Sequence, residues 1–473
     1  MRCGSVKKRS SSVPLFKTLR EFYYEYELPL AHAFYNIEQR GLLVDQTKLS
    51  VFRKYLEDEI KKSAELCYTL CGEQFNLGSP AQVIKILKKR GLKVPNDRKT
   101  GRPTSNEKGL FRLLSQTGDQ TLQHILRSRE LIKVKGTYVD TALLDNVLLC
   151  SYVVAGTKTG RRSSRKNFLG LGTNHQNLPK HSNLGMRFRE CVIARPGKIF
   201  LACDQKSAED WGVHGLIADW SHGGCLTGIN ELLSGINRHR KLAGFIFGKP
   251  ESDCGKDTAL YYLGKKTRHA GNYGMRGRTM SEALAGENIH IGADQCDVLL
   301  TRFHSLEPQI RQVFQAGVEE HLFRDHTLTT PVGRSRVFFD LRSGSDNAEV
   351  LRDAFSYIPQ SLIGDNNGLA ILDVERHEPG LVVSDGHDST TLEVDDNVQS
   401  ILLGVRALER AYNRTHTFEN GFQMKIPIEF ELGYSLGEMK TCDDVSEVGL
   451  RNIYDGLHQS VRPQSVIIVG QDS

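Results

Sequence analysis

Two aspartates far apart in the chain, Asp204 and Asp388, each stand where an apolar run meets a turn. The first row reads Ile199-Phe-Leu-Ala-Cys-Asp204-Gln-Lys-Ser-Ala-Glu209, and the second Leu381-Val-Val-Ser-Asp-Gly-His387-Asp388-Ser-Thr-Thr-Leu-Glu-Val394. In the second, β-rich runs flank polar turn residues, which predicts a hairpin with His387 and Asp388 at its tip. Carboxylates at strand ends suit Mg²⁺, a hard octahedral ion that takes one or two protein carboxylates and fills its shell with water and phosphate oxygens. Two such ions about 3.5–4 Å apart activate an attacking hydroxyl and stabilise the leaving oxygen of an in-line displacement. The chemistry open to this pair is therefore metal-assisted phosphoryl transfer. Taken singly, either aspartate reads more readily as a turn former, and Asp385, beside Gly386, is assigned that role.

Between the aspartates, the segment Asp257-Thr-Ala-Leu-Tyr-Tyr-Leu-Gly-Lys265-Lys-Thr-Arg-His269-Ala-Gly-Asn-Tyr273-Gly274 reads as a helix. Lys265, His269 and Tyr273 recur at every fourth position and share a slowly drifting stripe. They span about 12 Å at a rise of about 1.5 Å per residue, comparable with a nucleotide laid from triphosphate to base. A buried stripe ending in a snorkelling lysine is the competing explanation.

Composition bounds these possibilities. The 473 residues allow roughly three domains and an ample core. A net charge of +6 and a pI near 8.7 are only mildly basic, so any nucleic-acid surface must be local. The clusters Lys85 to Lys93, Arg127 to Lys135, Lys158 to Lys166 and Lys256 to Arg278 could supply it, giving salt-sensitive, sequence-independent affinity. Ten cysteines without a Cys-x-x-Cys pair argue against a zinc site and for a reducing compartment. The start of the chain is basic and serine-rich without an apolar signal-peptide core, and no segment is apolar enough to span a bilayer. A soluble protein of the cytoplasm, with no membrane partner, is expected.

The motifs, taken in order, resemble those of family A DNA polymerases, the DNA polymerase I type, and most of all their bacteriophage members. Thr157-Lys-Thr-Gly-Arg161-Arg-Ser-Ser164 and Asn174-His-Gln176-Asn-Leu-Pro179 resemble the template-primer segment. Asp204 through Glu209 is similar to the first palm motif, and Lys265 through Gly274 to the fingers helix. Thr330-Pro-Val-Gly-Arg334-Ser-Arg336 and Arg352 through Gln360 resemble later palm segments, and His387-Asp388 the second catalytic motif. The resemblance runs from about Leu28 to Met439, with Phe34 to Asp45, Phe75 to Gln82 and Arg129 to Asp140 similar to the thumb. In that thumb, Ser79 is predicted as an N-cap, Pro80 as the first helical residue, Gln82 as the partner closing a capping box and Gly91 as a stop. A second helix, through Leu126 to Lys135, is expected to expose its basic residues to phosphates.

The resemblance implies an α+β, right-hand polymerase fold with an antiparallel-sheet palm, a helical thumb and helical fingers. The implied division is an N-terminal extension over 1–24, thumb over 25–155, palm over 156–215 and 340–442, fingers over 216–339, and a tail over 443–473. It further implies that Asp204 and Asp388 hold two Mg²⁺ ions with the Gln205 carbonyl, and that Lys265 faces the incoming triphosphate of a dNTP. Tyr273 and His269 would lie by the nucleotide, with Glu209 as the steric gate against a 2′-hydroxyl. His387 would touch the primer terminus, and Arg161, Gln176, Arg352 and Gln360 the primer-template DNA. Some two dozen residues precede Tyr26, too few for a proofreading nuclease, so proofreading is expected to be missing or supplied by another chain, a separate exonuclease or a processivity factor being a candidate partner; phage DNA replication is the expected setting, with repair or gap filling the cellular alternative.

Several positions depart from the family pattern. Tyr261 stands where an arginine is usual, which leaves the outer phosphates to Lys265 with help from Lys266 or Arg268. His269 replaces Phe or Tyr, Ser389 replaces a Glu, and Ser356 replaces an asparagine before Gln360. Two other classes remain open: a single-subunit RNA polymerase, and a DNA-binding protein that has lost polymerase activity.

Overall fold

A computed structural model describes residues 14–461 apart from 98–99, 181, 288 and 343–346. Residues 1–13 of the expected N-terminal extension and 462–473 of the expected tail lie outside the described residues. The chain begins with helices: α1 (Leu28–Arg40), α2 (Gln46–Cys71), α3 (Pro80–Lys89), α4 (Glu107–Thr117) and α5 (Gln120–Val134). The last three enclose a small core of their own around Val83, Leu87, Leu110, Leu122 and Ile125.

Ser79 caps α3 as predicted, its Oγ accepting the Gln82 amide at 3.5 Å. The capping box does not close. The Ser79 amide already donates to the Asn76 carbonyl at 3.0 Å, so Gln82 Oε1 accepts the Asn76 amide instead, at 2.7 Å. The basic residues of α5 are also less available than expected. Arg127 pairs with Glu130 at 2.9 Å, Arg129 Nε donates to the Leu77 carbonyl at 2.8 Å, and Lys135 pairs with Asp140 at 2.7 Å. Lys133 alone of this group is exposed.

The centre of the molecule is a five-stranded antiparallel sheet built on β1 (Lys198–Gln205). Ile199, Leu201 and Cys203 point into the main core and Phe200 into a second core under α2, so both faces of β1 are covered. This period of two explains why β1 reads as an unbroken apolar run. After β1 come α6 (Ala208–Trp220), α7 (Arg238–Phe247), α8 (Ala259–Asn272) and α9 (Ala293–Leu306). The backbone of α8 is wedged between its neighbours. A Cβ at Gly264 would stand 2.9 Å from the His239 carbonyl oxygen on α7, and one at Gly271 would stand 2.2 Å from the Phe303 ring on α9.

The long helix α10 (Ala348–His377) leads into β2 (Val382–Asp385) and β3 (Ser389–Asp395), the predicted hairpin, with residues 386–388 as its turn. Then follow α11 (Val398–Tyr412), β4 (Ile428–Gly433), β5 (Lys440–Cys442) and α12 (Glu447–Val461), giving the strand order β5-β4-β1-β3-β2. No helix among the described residues is long and apolar enough to cross a membrane.

Asp385 is not the turn former expected of it. It ends β2 fully buried, accepting Arg162 Nε at 2.9 Å and Nη2 at 2.8 Å, Gln176 Nε2 at 2.8 Å and Asn367 Nδ2 at 2.6 Å. The alternation of the strand turns its carboxylate inward, and four charge-assisted bonds replace the water it loses. Arg162 is equally buried and also donates to the Gly364 carbonyl at 2.7 Å, so the pair ties the segment around residue 162 to both the sheet and α10. Arg162→Met would leave Asp385 as an uncompensated buried charge. The expected loss is about 3–5 kcal/mol of unfolding free energy, read from urea denaturation; a midpoint equal to wild type would contradict the buried pairing.

Candidate active site

The register of the sheet brings the distant aspartates together. Ser389 on β3 is the cross-strand partner of Asp204 on β1, and the Gln205 amide donates to the Asp388 carbonyl at 3.1 Å. On the other flank of β1, Glu429 of β4 is paired with Asp204. Gln205 is buried: its Nε2 donates to the carbonyls of Ile363 at 3.2 Å and Asp388 at 3.3 Å, and its Oε1 accepts from Asn366 at 2.8 Å. These bonds fix the junction between the end of β1 and the hairpin turn. His387 occupies that turn in the left-handed region, with φ 75°, and burial draws its imidazole below the ordinary range.

Burial pushes Asp204 up to about 7, and the charge of Asp388 pushes in the same direction; Glu429 and Glu431 add to this, while Lys180 opposes it. Two carboxylates sharing a partly buried site repel each other, and a divalent cation between them would relieve both the burial of charge and the repulsion. The donor set is hard oxygen. Among the described residues no group of three or more His, Cys, Asp or Glu is placed to hold a metal. Paired carboxylate oxygens are the donors that a hard divalent cation takes. Lys180 carries no motif signal; only its place in the fold brings its charge to the site.

The stripe on α8 faces the same region. Lys265 is exposed and has no carboxylate partner among the described residues. His269 Nδ1 lies 3.2 Å from Glu209 Oε2, and its ring meets that of Tyr273 edge-on at 4.9 Å. Arg161 Nη2 reaches the other Glu209 oxygen at 3.4 Å. Burial alone would raise Glu209, but His269 and Arg161 hold it below the ordinary carboxylate range. Tyr273 is buried, and burial together with the Glu209 charge raises its phenol well above its usual value.

The two helpers expected for Lys265 are engaged elsewhere. Lys266 pairs with Glu287 at 2.6 Å and sits over the Tyr262 ring. Arg268 turns to the opposite face of α8, where it is buried against Glu307 at 2.7 Å. Helical spacing explains part of the division: Arg268 immediately precedes His269, and a step of one residue turns a side chain by about 100°, from the Glu209 face towards α7 and α9. Tyr261 packs edge-on against His239 at 5.8 Å. His239 is held down to about 4, first by burial, with the Lys265 charge contributing, so a neutral imidazole stands near the lysine. Sequence reasoning passed over it. The signal was the run Arg238-His-Arg240 opening a helix, an end whose dipole already favours anions.

Of the residues expected to contact DNA, Arg161 is held by Glu209 and by the Gln360 carbonyl, to which its Nε donates at 3.4 Å. Arg352 and Gln360 lie half-buried along α10, with no ion partner for Arg352 among the described residues. Ser356 Oγ turns back to the Asp353 carbonyl at 3.1 Å. Gln176 is brought in, but its amide nitrogen belongs to Asp385 and its Oε1 is buried without a partner among the described residues.

The family model described as DNA polymerase family A matches residues 46–435. The chain is 27% identical over 427 residues to the thermostable DNA polymerase I of a Thermus thermophilus strain, covering 87% of this chain and 47% of that protein. It is 28% identical over 405 residues to DNA polymerase I of Pseudomonas aeruginosa, covering 81% of this chain and 41% of that one. It thus spans about half the length of the curated relatives it matches. Among solved structures, the POL domain of Pol1 from M. smegmatis, in complex with DNA primer-template and dNTP, superposes with a TM-score of 0.73 at 22% identity, covering 88% of this chain and 71% of that one. The fold is the α+β right-hand architecture.

The Asp204 environment generates a pH signature. Its folded-state value of about 7 lies above the roughly 3.9 of an unfolded aspartate, so the folded chain keeps a proton that the unfolded chain releases. Stability without divalent ions is therefore expected to fall as pH rises between about 4 and 7 and to level off above. Urea unfolding across that range should show a weaker slope in Asp204→Asn, and Mg²⁺ should stabilise wild type at neutral pH more than the variant. Identical slopes in both proteins would refute the assignment.

Proposed function

Because the chain belongs to DNA polymerase family A, we propose that it is a template-directed DNA polymerase that adds dNTPs to a primer 3′-hydroxyl. The observation that carries this is the juxtaposition of the Asp204–Asp388 junction with the α8 face bearing Lys265 and His269, joined to it through Glu209. Asp204, Asp388 and the Gln205 carbonyl would hold two Mg²⁺ ions, which when bound lower the pKa of the attacking hydroxyl and offset charge on the leaving oxygen.

The chain's own residues then divide the remaining work. Lys265, exposed and unpaired among the described residues, aims a positive charge at the triphosphate and supplies a proton to the departing pyrophosphate. Neutral His239 lies at the same end of α8 and replaces Lys266 and Arg268 as the neighbour available to that phosphate tail. Glu209, kept ionised by His269 and Arg161, forms the floor that excludes a ribose 2′-hydroxyl, with Tyr273 behind it. His387 meets the primer terminus, and Arg161, Arg352 and Gln360 line the duplex. Gln176 acts through Asp385 by bracing the hairpin that carries Asp388.

In this assignment the thumb spans 25–155, the fingers 216–339 and the palm 156–215 and 340–442. The partners are primer-template DNA and dNTPs. The setting is phage DNA replication in a host cytoplasm, a choice supported by the resemblance of the motifs to those of bacteriophage members of the family.

Primer extension with dNTPs and rNTPs, with and without Mg²⁺, tests the proposal. Wild type should extend a primer with dNTPs only when Mg²⁺ is present, and Asp204→Ala or Asp388→Ala should lose about three orders of magnitude in rate, the several kcal/mol that metal-assisted charge stabilisation supplies. Normal extension by either variant would reject the site. Unprimed synthesis from rNTPs would identify an RNA polymerase, and primer-template binding without addition an inactive relative. Glu209→Ala should raise rNTP incorporation relative to dNTP; an unchanged ratio would remove Glu209 from sugar selection.

A further inference from the structure

Behind the catalytic face lies a buried cluster of charges that none of the roles above uses. Arg268 of α8 places Nη1 2.7 Å from Glu307, Nε 3.8 Å from Asp210 of α6, and donates from Nη2 to the Arg238 carbonyl of α7 at 2.9 Å. Its guanidinium also stands 5.7 Å from the centre of the Phe303 ring of α9. Arg238 pairs with the same Glu307 at 2.5 Å and with Glu231 at 3.0 Å, and His214 of α6 lies 3.5 Å from Glu307. Arg238 and Arg268 are each 2% exposed, and Asp210 and Glu307 6%. One guanidinium therefore touches three neighbouring helices and the residue that follows the third.

The cluster and the candidate active site are two sides of one helix contact. On α6, Glu209 faces the site and Asp210 the cluster; on α8, His269 faces the site and Arg268 the cluster. The front contact is Glu209 to His269 at 3.2 Å, and the rear one is Asp210 to Arg268 at 3.8 Å. Any change in the rear separation must move the front one, because adjacent helical residues are rigidly linked through the backbone. Apolar side chains would stabilise such a junction at least as well, since desolvating ions offsets much of their attraction, so stability alone does not account for the cluster.

We propose that Arg268 is a positioning residue: through Asp210, Glu307 and the Arg238 carbonyl it sets the stance of α8 on α6, and so the distance of Lys265 and His269 from Glu209 and the aspartates. The role rests on the polymerase function proposed above. Misplacing a reacting group by roughly 1 Å costs on the order of 10²-fold in rate, and that is the loss expected in the rate per active molecule of Arg268→Met.

The test is a pre-steady-state burst with primer-template and a correct dNTP, for wild type, Arg268→Met, Arg268→Lys and Asp210→Asn. Burst amplitude counts active molecules and burst rate measures each one. A positioning role predicts a fall in burst rate with amplitude and primer-template affinity retained, Arg268→Lys recovering part of it and Asp210→Asn showing a smaller fall. Reduced amplitude at an unchanged rate would mean that Arg268 merely supports folding, and would overturn the proposal. Should Arg268→Met fail to fold, the milder Asp210→Asn decides by the same criterion. A wild-type chain that adds no nucleotide would defeat the polymerase function instead. Positioning is then read from dNTP-dependent stabilisation of the complex with a 3′-deoxy-terminated primer, where equal stabilisation in wild type and Asp210→Asn overturns it.

Discussion

The structure depends on the repulsion between two carboxylates that the sheet register forces into one partly buried place. Asp204 ends the central strand, and the hairpin turn that carries Asp388 is hydrogen-bonded to the next residue, Gln205. Asp204 cannot withdraw without breaking the register, because the strand that carries it is covered on both faces. The unfavourable charge at such a site is held in place by the folding energy of the rest of the sheet.

Around this junction the protein uses its buried charges to fix position. Asp385, close to Asp388 in sequence, has an opposite fate: four donors surround it, and it functions as an anchor. Arg334 and Asp365 form a comparable buried pair at 2.8 Å that braces α10. Helix α8 is held by close backbone approach at Gly264 and Gly271 and by the cluster at Arg268. Lys265 can remain exposed because the opposite face of its helix is so firmly tied.

Legibility followed the range of the interaction. The hairpin at His387 and Asp388, the Ser79 cap and the apolar strand before Asp204 were readable because they rest on neighbours in sequence. The order of motifs carried the architecture, since it encodes which segments the fold must bring together. The capping box at Gln82, the exposed basic face of α5, the turn role of Asp385 and the phosphate role of Lys266 or Arg268 did not hold. Each depended on a partner distant in sequence or on which competing donor arrived first.

The sequence alone determined the chemistry on offer: hard oxygen ligands, a cation and aromatics at helical spacing, and turn residues that present them. Tertiary structure decided which charges are paired internally and which stay available. Asp385 and Asp388 are three positions apart in one turn region, and Arg268 and His269 are adjacent on one helix. Their roles diverge because a strand and a helix each turn neighbouring side chains to different faces, and only packing determines which face meets solvent and which meets a buried counter-charge.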